Sequence, residues 1–235
     1  MQGWLFYFYS LLFGISFLLW ACQDSNTTNA EKAAAQDASA GTASAKQAPA
    51  NIVFFGNSLT AGYGLDPEEA FPALIQQWID SLGYSYQAVN AGLSGETTAG
   101  GVARIDWILK QPVAVFVLEL GGNDGLRGLA PEETEKNLRL IIQKVKKKYP
   151  QAPILLTGME APPNMGRAYT EAFRAVFARV AEAEKTAFLR FLLEGVAGEA
   201  ALNQADGIHP TALGQRRVAQ NVWKVLMPLL LKPKS

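Results

Sequence analysis

Val113-Ala114-Val115-Phe116-Val117-Leu118-Glu119-Leu120 is an almost unbroken apolar run, closed by Gly121-Gly122. A strand with one wet face alternates apolar and polar residues. A continuous apolar run bounded by glycine suits a strand covered on both faces. Working outward, Asn51 to Phe55 (NIVFF) is a similar run stopped by Gly56. Tyr84 to Val89, Pro153 to Met159 and Ala187 to Leu193 read as further strands. Helical spacing separates them. Asp66-Pro67-Glu68-Glu69 supplies a cap, a proline at the first helical position and an acid three residues after the cap. Ala70, Phe71, Leu74, Ile75, Trp78 and Ile79 then recur on one face. Pro131 opens a helix with Leu138, Ile141, Ile142, Val145 and Tyr149 on one side. Phe173, Val176, Phe177 and Val180 mark another, and the last helix runs from about Thr211 towards Leu230. Strands alternating with helices imply right-handed crossovers and a parallel sheet covered on both faces. The expected fold is α/β: a three-layer α/β/α sandwich on a five-stranded parallel sheet, without internal repeats.

Composition narrows the function. The chain has 235 residues, of which 49% are hydrophobic and 18% charged, so it can bury a core. Lys+Arg and Asp+Glu both number 21; this zero net charge argues against nucleic acid as a partner. With one Cys, an internal disulfide and a Cys-based zinc site are excluded. With one His, a multi-His metal site is excluded, and any chemistry that needs imidazole must use His209. No metal and no organic cofactor are expected.

The N-terminus reads as an export signal. Trp4 to Ala21 carries no charged side chain and is about as long as a membrane span. Leu19-Trp20-Ala21-Cys22 resembles the bacterial lipobox, although Trp20 fits it poorly and the segment before the apolar run lacks Lys and Arg. The preferred reading is a lipoprotein signal over residues 1–21, with Cys22 lipidated and the protein held at the cell envelope by that anchor. An ordinary cleaved signal, releasing a periplasmic or secreted protein, and an uncleaved anchor are the alternatives. Residues 22–49 contain no aromatic residue and, from Gln23, no Leu, Ile, Val or Met, so they read as a disordered tether. The folded domain is expected over residues 50–235.

In an open parallel sheet, functional loops lie beyond the carboxyl ends of the strands. Four stand out. Gly56-Asn57-Ser58-Leu59-Thr60-Ala61-Gly62 follows the first strand and can present a serine hydroxyl on a tight turn. No Gly-Lys-Ser/Thr follows, so it is not a phosphate-binding loop. Asn90-Ala91-Gly92-Leu93-Ser94-Gly95-Glu96 has glycines that let a backbone N–H approach a ligand. Gly121-Gly122-Asn123-Asp124-Gly125-Leu126-Arg127-Gly128 offers the Asn123 amide as a neutral donor for a developing oxyanion. Asp206-Gly207-Ile208-His209-Pro210 puts a carboxylate three residues before the single imidazole, close enough to hold its tautomer. Each loop alone reads equally as an ordinary turn, a helix cap or a surface histidine. Lys144, Lys146, Lys147 and Lys148 read as a solvated helix end, where cations suit the macrodipole. Trp and Phe in helical stripes read as core.

Taken together, Ser, Gly, Asn and His occur in that order at successive strand ends. Here the chain resembles the SGNH (GDSL-type) hydrolases over about Asn51 to Leu230, and most closely their thioesterase/lysophospholipase and arylesterase branch. Glu119 to Gly128 and Asp206 to Pro210 carry the closest likeness. The resemblance implies a flavodoxin-like sheet. It implies Ser58 as nucleophile, His209 as general base and then acid, and Asp206 as the group that orients His209. It implies an oxyanion hole from the N–H groups of Ser58 and Gly95 and the Asn123 side chain. The residues themselves do not choose Gly95 over Gly92; the family pattern does. It further suggests Gly125, Leu126 and Pro162 beside the substrate, within loops Gly125–Leu129 and Glu160–Gly166. The family usually has Asp before the nucleophile, and this chain has Asn57, which keeps the shape and loses the charge.

The expected activity is that of a serine esterase. His209 takes the Ser58 proton as the hydroxyl attacks the carbonyl, and water then hydrolyses the acyl-enzyme. The substrate class is an aryl ester, an acyl thioester or a lysophospholipid. The alternatives are a carbohydrate O-deacetylase and a non-catalytic envelope lipoprotein that keeps the fold as a binding module.

Overall fold

The computed structural model of the protein describes residues 49–230. The expected export segment, Cys22, the expected tether up to residue 48 and the last five positions lie outside the described residues.

The two apolar runs that decide the fold lie side by side at the centre of the sheet. Strand β1 (Ala50–Gly56) pairs in parallel with β3 (Val115–Glu119), with Gly56 opposite Glu119. On its other side β1 pairs with β2 (Tyr86–Gly92). Beyond β3 lie β4 (Ile154–Thr157) and β5 (Ala187–Leu189), all parallel, in the order β2-β1-β3-β4-β5. Chain direction across the sheet reverses between β1 and β3. That switch point opens a crevice at the carboxyl ends of those two strands, and the loops that follow both strands border it. Every side chain from Val53 to Phe55 and from Phe116 to Glu119 is fully buried, as a strand covered on both faces requires.

Helices cover each face. Helix α2 (Phe71–Ser81) packs with the C-terminal helix, numbered α7 below (Ala212–Leu226), on one side. Helices α3 (Thr98–Ile108), α5 (Pro131–Lys148) and α6 (Arg167–Ala183) pack in series on the other. Two single turns, α1 (Ser58–Ala61) and α4 (Gly122–Leu126), start directly after β1 and β3.

Several local features differ from the sequence reading. Helix α3 has no counterpart in the sequence reading, because Gly100 and Gly101 dilute its apolar stripe. A Cβ on Gly101 would stand 2.4 Å from the Leu120 side chain, so close packing of α3 on the sheet needs glycine there. Asp66-Pro67 starts a 3-10 turn (Pro67–Glu69), and α2 itself begins at Phe71. Strands β2 and β3 begin two residues later than expected, at Tyr86 and Val115, and β5 ends at Leu189 instead of Leu193. Finally, the basic run is only partly a solvated helix end. Lys144 bonds Asp106 on α3 at 2.7 Å, and Lys146 bonds Glu184 at 3.1 Å, just past α6.

Candidate active site

The turn after β1 is built around Asn57. Its side-chain oxygen accepts the N–H of Leu59 at 2.9 Å, capping α1, and its backbone carbonyl accepts the N–H of Ala61 at 3.0 Å. Gly62 closes the turn in the left-handed region, with φ +76°. Ser58 therefore sits at the first position of a one-turn helix, directly beyond the carboxyl end of β1.

The loop before α7 brings the imidazole to it. Gly207 (φ +70°) turns the chain inside Asp206-Gly207-Ile208-His209. Asp206 Oδ1 accepts the backbone N–H groups of Ile208 at 2.9 Å and His209 at 3.0 Å, while Oδ2 lies 2.6 Å from His209 Nδ1. These bonds, the His209 backbone N–H foremost, hold the Asp206 carboxyl down to about 2, so it is ionised at neutral pH. His209 Nε2 lies 2.9 Å from Ser58 Oγ. The Tyr63 ring packs on the imidazole, centroids 4.5 Å apart. The loop is set against the serine turn by Gln215 of α7. Its buried amide accepts the Phe71 N–H at 2.9 Å and donates to the Leu59 carbonyl at 3.1 Å.

The two remaining loops are joined to each other. Asn123 donates one N–H to the Glu96 carbonyl at 2.9 Å, and its amide has a second N–H. Arg127 donates to the Gly95 carbonyl at 3.1 Å. The buried Asp124 accepts the Thr98 N–H at 2.9 Å and the Thr98 hydroxyl at 2.5 Å. Glu96, nearly buried, receives Arg104 bidentately at 2.7 and 2.5 Å, and Arg104 lies over the Phe55 ring at 4.4 Å. Gly92 and Gly95 differ in kind. The Gly92 N–H is taken by Asn90 Oδ1 at 3.0 Å, and a Cβ there would lie 2.3 Å from Ala61 N. Gly95 has φ +79° and open space where a Cβ would stand.

A cavity of about 680 Å³ opens beside Ser58, Asn123 and His209. That volume falls within the range of small-molecule sites. Leu126, Met159, Pro162, Phe191 and Ile208 contribute to its largely apolar wall. Glu160, also on the wall, is paired with Arg174 at 3.0 Å. Of the three residues expected beside the substrate, Leu126 and Pro162 line the cavity and Gly125 does not. Gly125 is buried behind the wall, where a Cβ would meet the Phe173 ring at 3.0 Å.

Sequence reading missed the supporting side chains Arg104, Asp124, Gln215 and Glu119. Glu119 carried a signal: it is the single acid inside an apolar run that is covered on both faces. Its carboxyl is fully buried, and desolvation raises it to about 7 despite hydrogen bonds from Thr60 and Asn57 that pull it down.

A hydroxyl, an imidazole and a carboxylate bonded in series, next to free amide donors and an apolar cleft on a doubly wound sheet, define a serine hydrolase of the acyl-transfer kind. The chain belongs to the GDSL-like Lipase/Acylhydrolase family, whose model matches residues 54–217. It is 46% identical over 180 residues to the Esterase TesA of Pseudomonas aeruginosa, spanning 76% of this chain and 89% of that one. It is 41% identical over 180 residues to the Thioesterase 1/protease 1/lysophospholipase L1 of Escherichia coli K12, spanning 76% and 84%. The crystal structure of TesA superposes with a TM-score of 0.74, covering 77% of this chain and 99% of that one. The protein is an SGNH-type esterase, as the ordered loops implied.

Proposed function

We propose that Ser58 is the nucleophile of this esterase, His209 its general base and acid, and Asp206 the residue that fixes the His209 tautomer. The observation that carries this reading is the unbroken chain of hydrogen bonds from Asp206 through His209 to Ser58. His209 Nε2 removes the hydroxyl proton as Oγ attacks the ester carbonyl. Asp206 stabilises the imidazolium without taking its proton. The forming oxyanion is met by the N–H of Ser58, the N–H of Gly95 and the second N–H of Asn123. His209 returns its proton to the leaving alcohol or thiol. Water then repeats the sequence on the acyl-enzyme.

The apolar wall supports an aliphatic acyl or aryl group as the part of the substrate that enters the cleft. It gives no support to an O-acetylated sugar, which would present hydroxyls to that wall. The names borne by the relatives favour carboxylic esters, acyl thioesters and lysophospholipids as the range to test. Among the described residues no helix is long and apolar enough to cross a membrane. We place the protein at the bacterial cell envelope on the Trp4–Ala21 export segment, with Cys22 as the lipid anchor; mass spectrometry of the mature N-terminus tests this.

Hydrolysis of p-nitrophenyl esters from acetyl to palmitoyl, with Ser58→Ala as control, tests the enzymatic reading. Turnover that depends on Ser58 and covalent labelling of Ser58 by a fluorophosphonate are the expected results. A folded protein that does neither would sink the assignment and favour a binding module.

A further inference from the structure

We propose that Glu119 is a positioning residue for Ser58: its buried carboxyl engages the donors around Ser58 in the nucleophile turn and leaves the Ser58 N–H free for the oxyanion. The inference rests on the esterase reading above and extends it to a residue that touches no substrate. Glu119 ends β3, beside Gly56 at the end of β1. Its Oε2 accepts the backbone N–H of Asn57 at 3.0 Å and the hydroxyl of Thr60 at 2.7 Å. Its Oε1 accepts Nδ2 of Asn57 at 2.9 Å.

The consequence follows from counting donors. The first turn of a helix has N–H groups without helical acceptors. Of those around Ser58, Asn57 gives its N–H to Glu119, Leu59 gives its own to Asn57 Oδ1, and Ala61 reaches the Asn57 carbonyl. Among the described residues, no acceptor takes the Ser58 N–H. Glu119 also decides which way the Asn57 amide faces. An acceptor at Oε1 demands the NH₂ side, which turns the oxygen towards Leu59. No side chain could replace this packing from β1, because a Cβ on Gly56 would stand 2.4 Å from Glu119 Oε2. The same bonds explain Asn57, where the family usually has Asp. Asn supplies a donor to Glu119 without a proton, whereas Asp would have to share one with it.

The test is a swap of the pair. Glu119→Gln sets its NH₂ against the NH₂ of Asn57. We expect kcat for p-nitrophenyl butyrate to fall ten- to a hundredfold, with KM within about twofold, because the cleft is untouched. Asn57→Asp combined with Glu119→Gln restores every bond with donor and acceptor exchanged, and is expected to recover most of kcat. Asn57→Asp alone is expected to lose activity as pH rises, when the two carboxyls give up the proton they share. Wild-type kcat in Glu119→Gln, or a double variant as slow as that single one, would overturn the proposal. Should Glu119→Gln fail to fold, Asn57→Asp decides alone: a pH profile parallel to wild type overturns the proposal, and a new alkaline loss supports it. Ser58→Ala separates the two levels, since turnover independent of Ser58 would refute the esterase assignment itself.

Discussion

His209 Nε2 and Ser58 Oγ stand 2.9 Å apart across 151 positions of chain. The contact joins the first strand end to the loop before the last helix, and the Gln215 side chain on that helix bonds the backbones of Leu59, next to Ser58, and of Phe71. A hydroxyl becomes a useful nucleophile at neutral pH only when such a base is already in place.

Asp206→Asn removes the charge that faces Nδ1 and permits the wrong imidazole tautomer. We expect kcat to fall on the order of 10³- to 10⁴-fold with little change in KM. Steady-state hydrolysis of a p-nitrophenyl ester measures both. A loss confined to KM would show that Asp206 shapes the cleft instead of holding the base.

Asn123→Ala removes one oxyanion donor and releases the Glu96 carbonyl. The expected loss in kcat is roughly 10²- to 10³-fold. Asn123→Asp should be no better, since its carboxylate cannot donate. Equal activity of Asn123→Ala and wild type would take the side chain out of the mechanism.

Two carboxyls give stability opposite pH dependences. Asp206 is depressed from 3.8 to about 2, so its contribution is present above the unfolded value and is lost as pH falls through about 2. Glu119 is raised from 4.5 to about 7, so the native state holds its proton longer than the unfolded chain. Its ionisation therefore costs stability progressively as pH rises from 4.5 to about 7, by about 3 kcal/mol at most. Urea unfolding of wild type and Glu119→Gln across that window checks the sign. The difference between them should change between pH 4.5 and 7 and level off above it.

Ala197 lines the cavity and is otherwise exposed, so a larger side chain there meets no packed core. Ala197→Phe is expected to shift the p-nitrophenyl ester profile towards shorter acyl chains while the activity on acetyl ester stays near wild type. An unchanged profile would mean that the acyl chain leaves the cleft by another wall.

The layered fold and the order Ser, Gly, Asn, His were legible in the chain because both are written in local signals. Apolar runs over residues 51–55 and 113–120 suit strands covered on both sides, and glycines at their ends mark where the chain turns. The single histidine narrowed the base to His209 before any geometry was known. Helix α3 escaped because two glycines serve its packing at the expense of its periodicity. Tertiary structure alone decided the rest. It matched Glu119 to Asn57 and Thr60, Arg104 to Glu96, and Gln215 to Leu59, and it separated a spent Gly92 N–H from an open Gly95. These are partnerships of single donors with single acceptors across distant segments. No periodicity encodes them, because a hydrogen bond depends on where two atoms meet in space, and that is settled only when the layers pack.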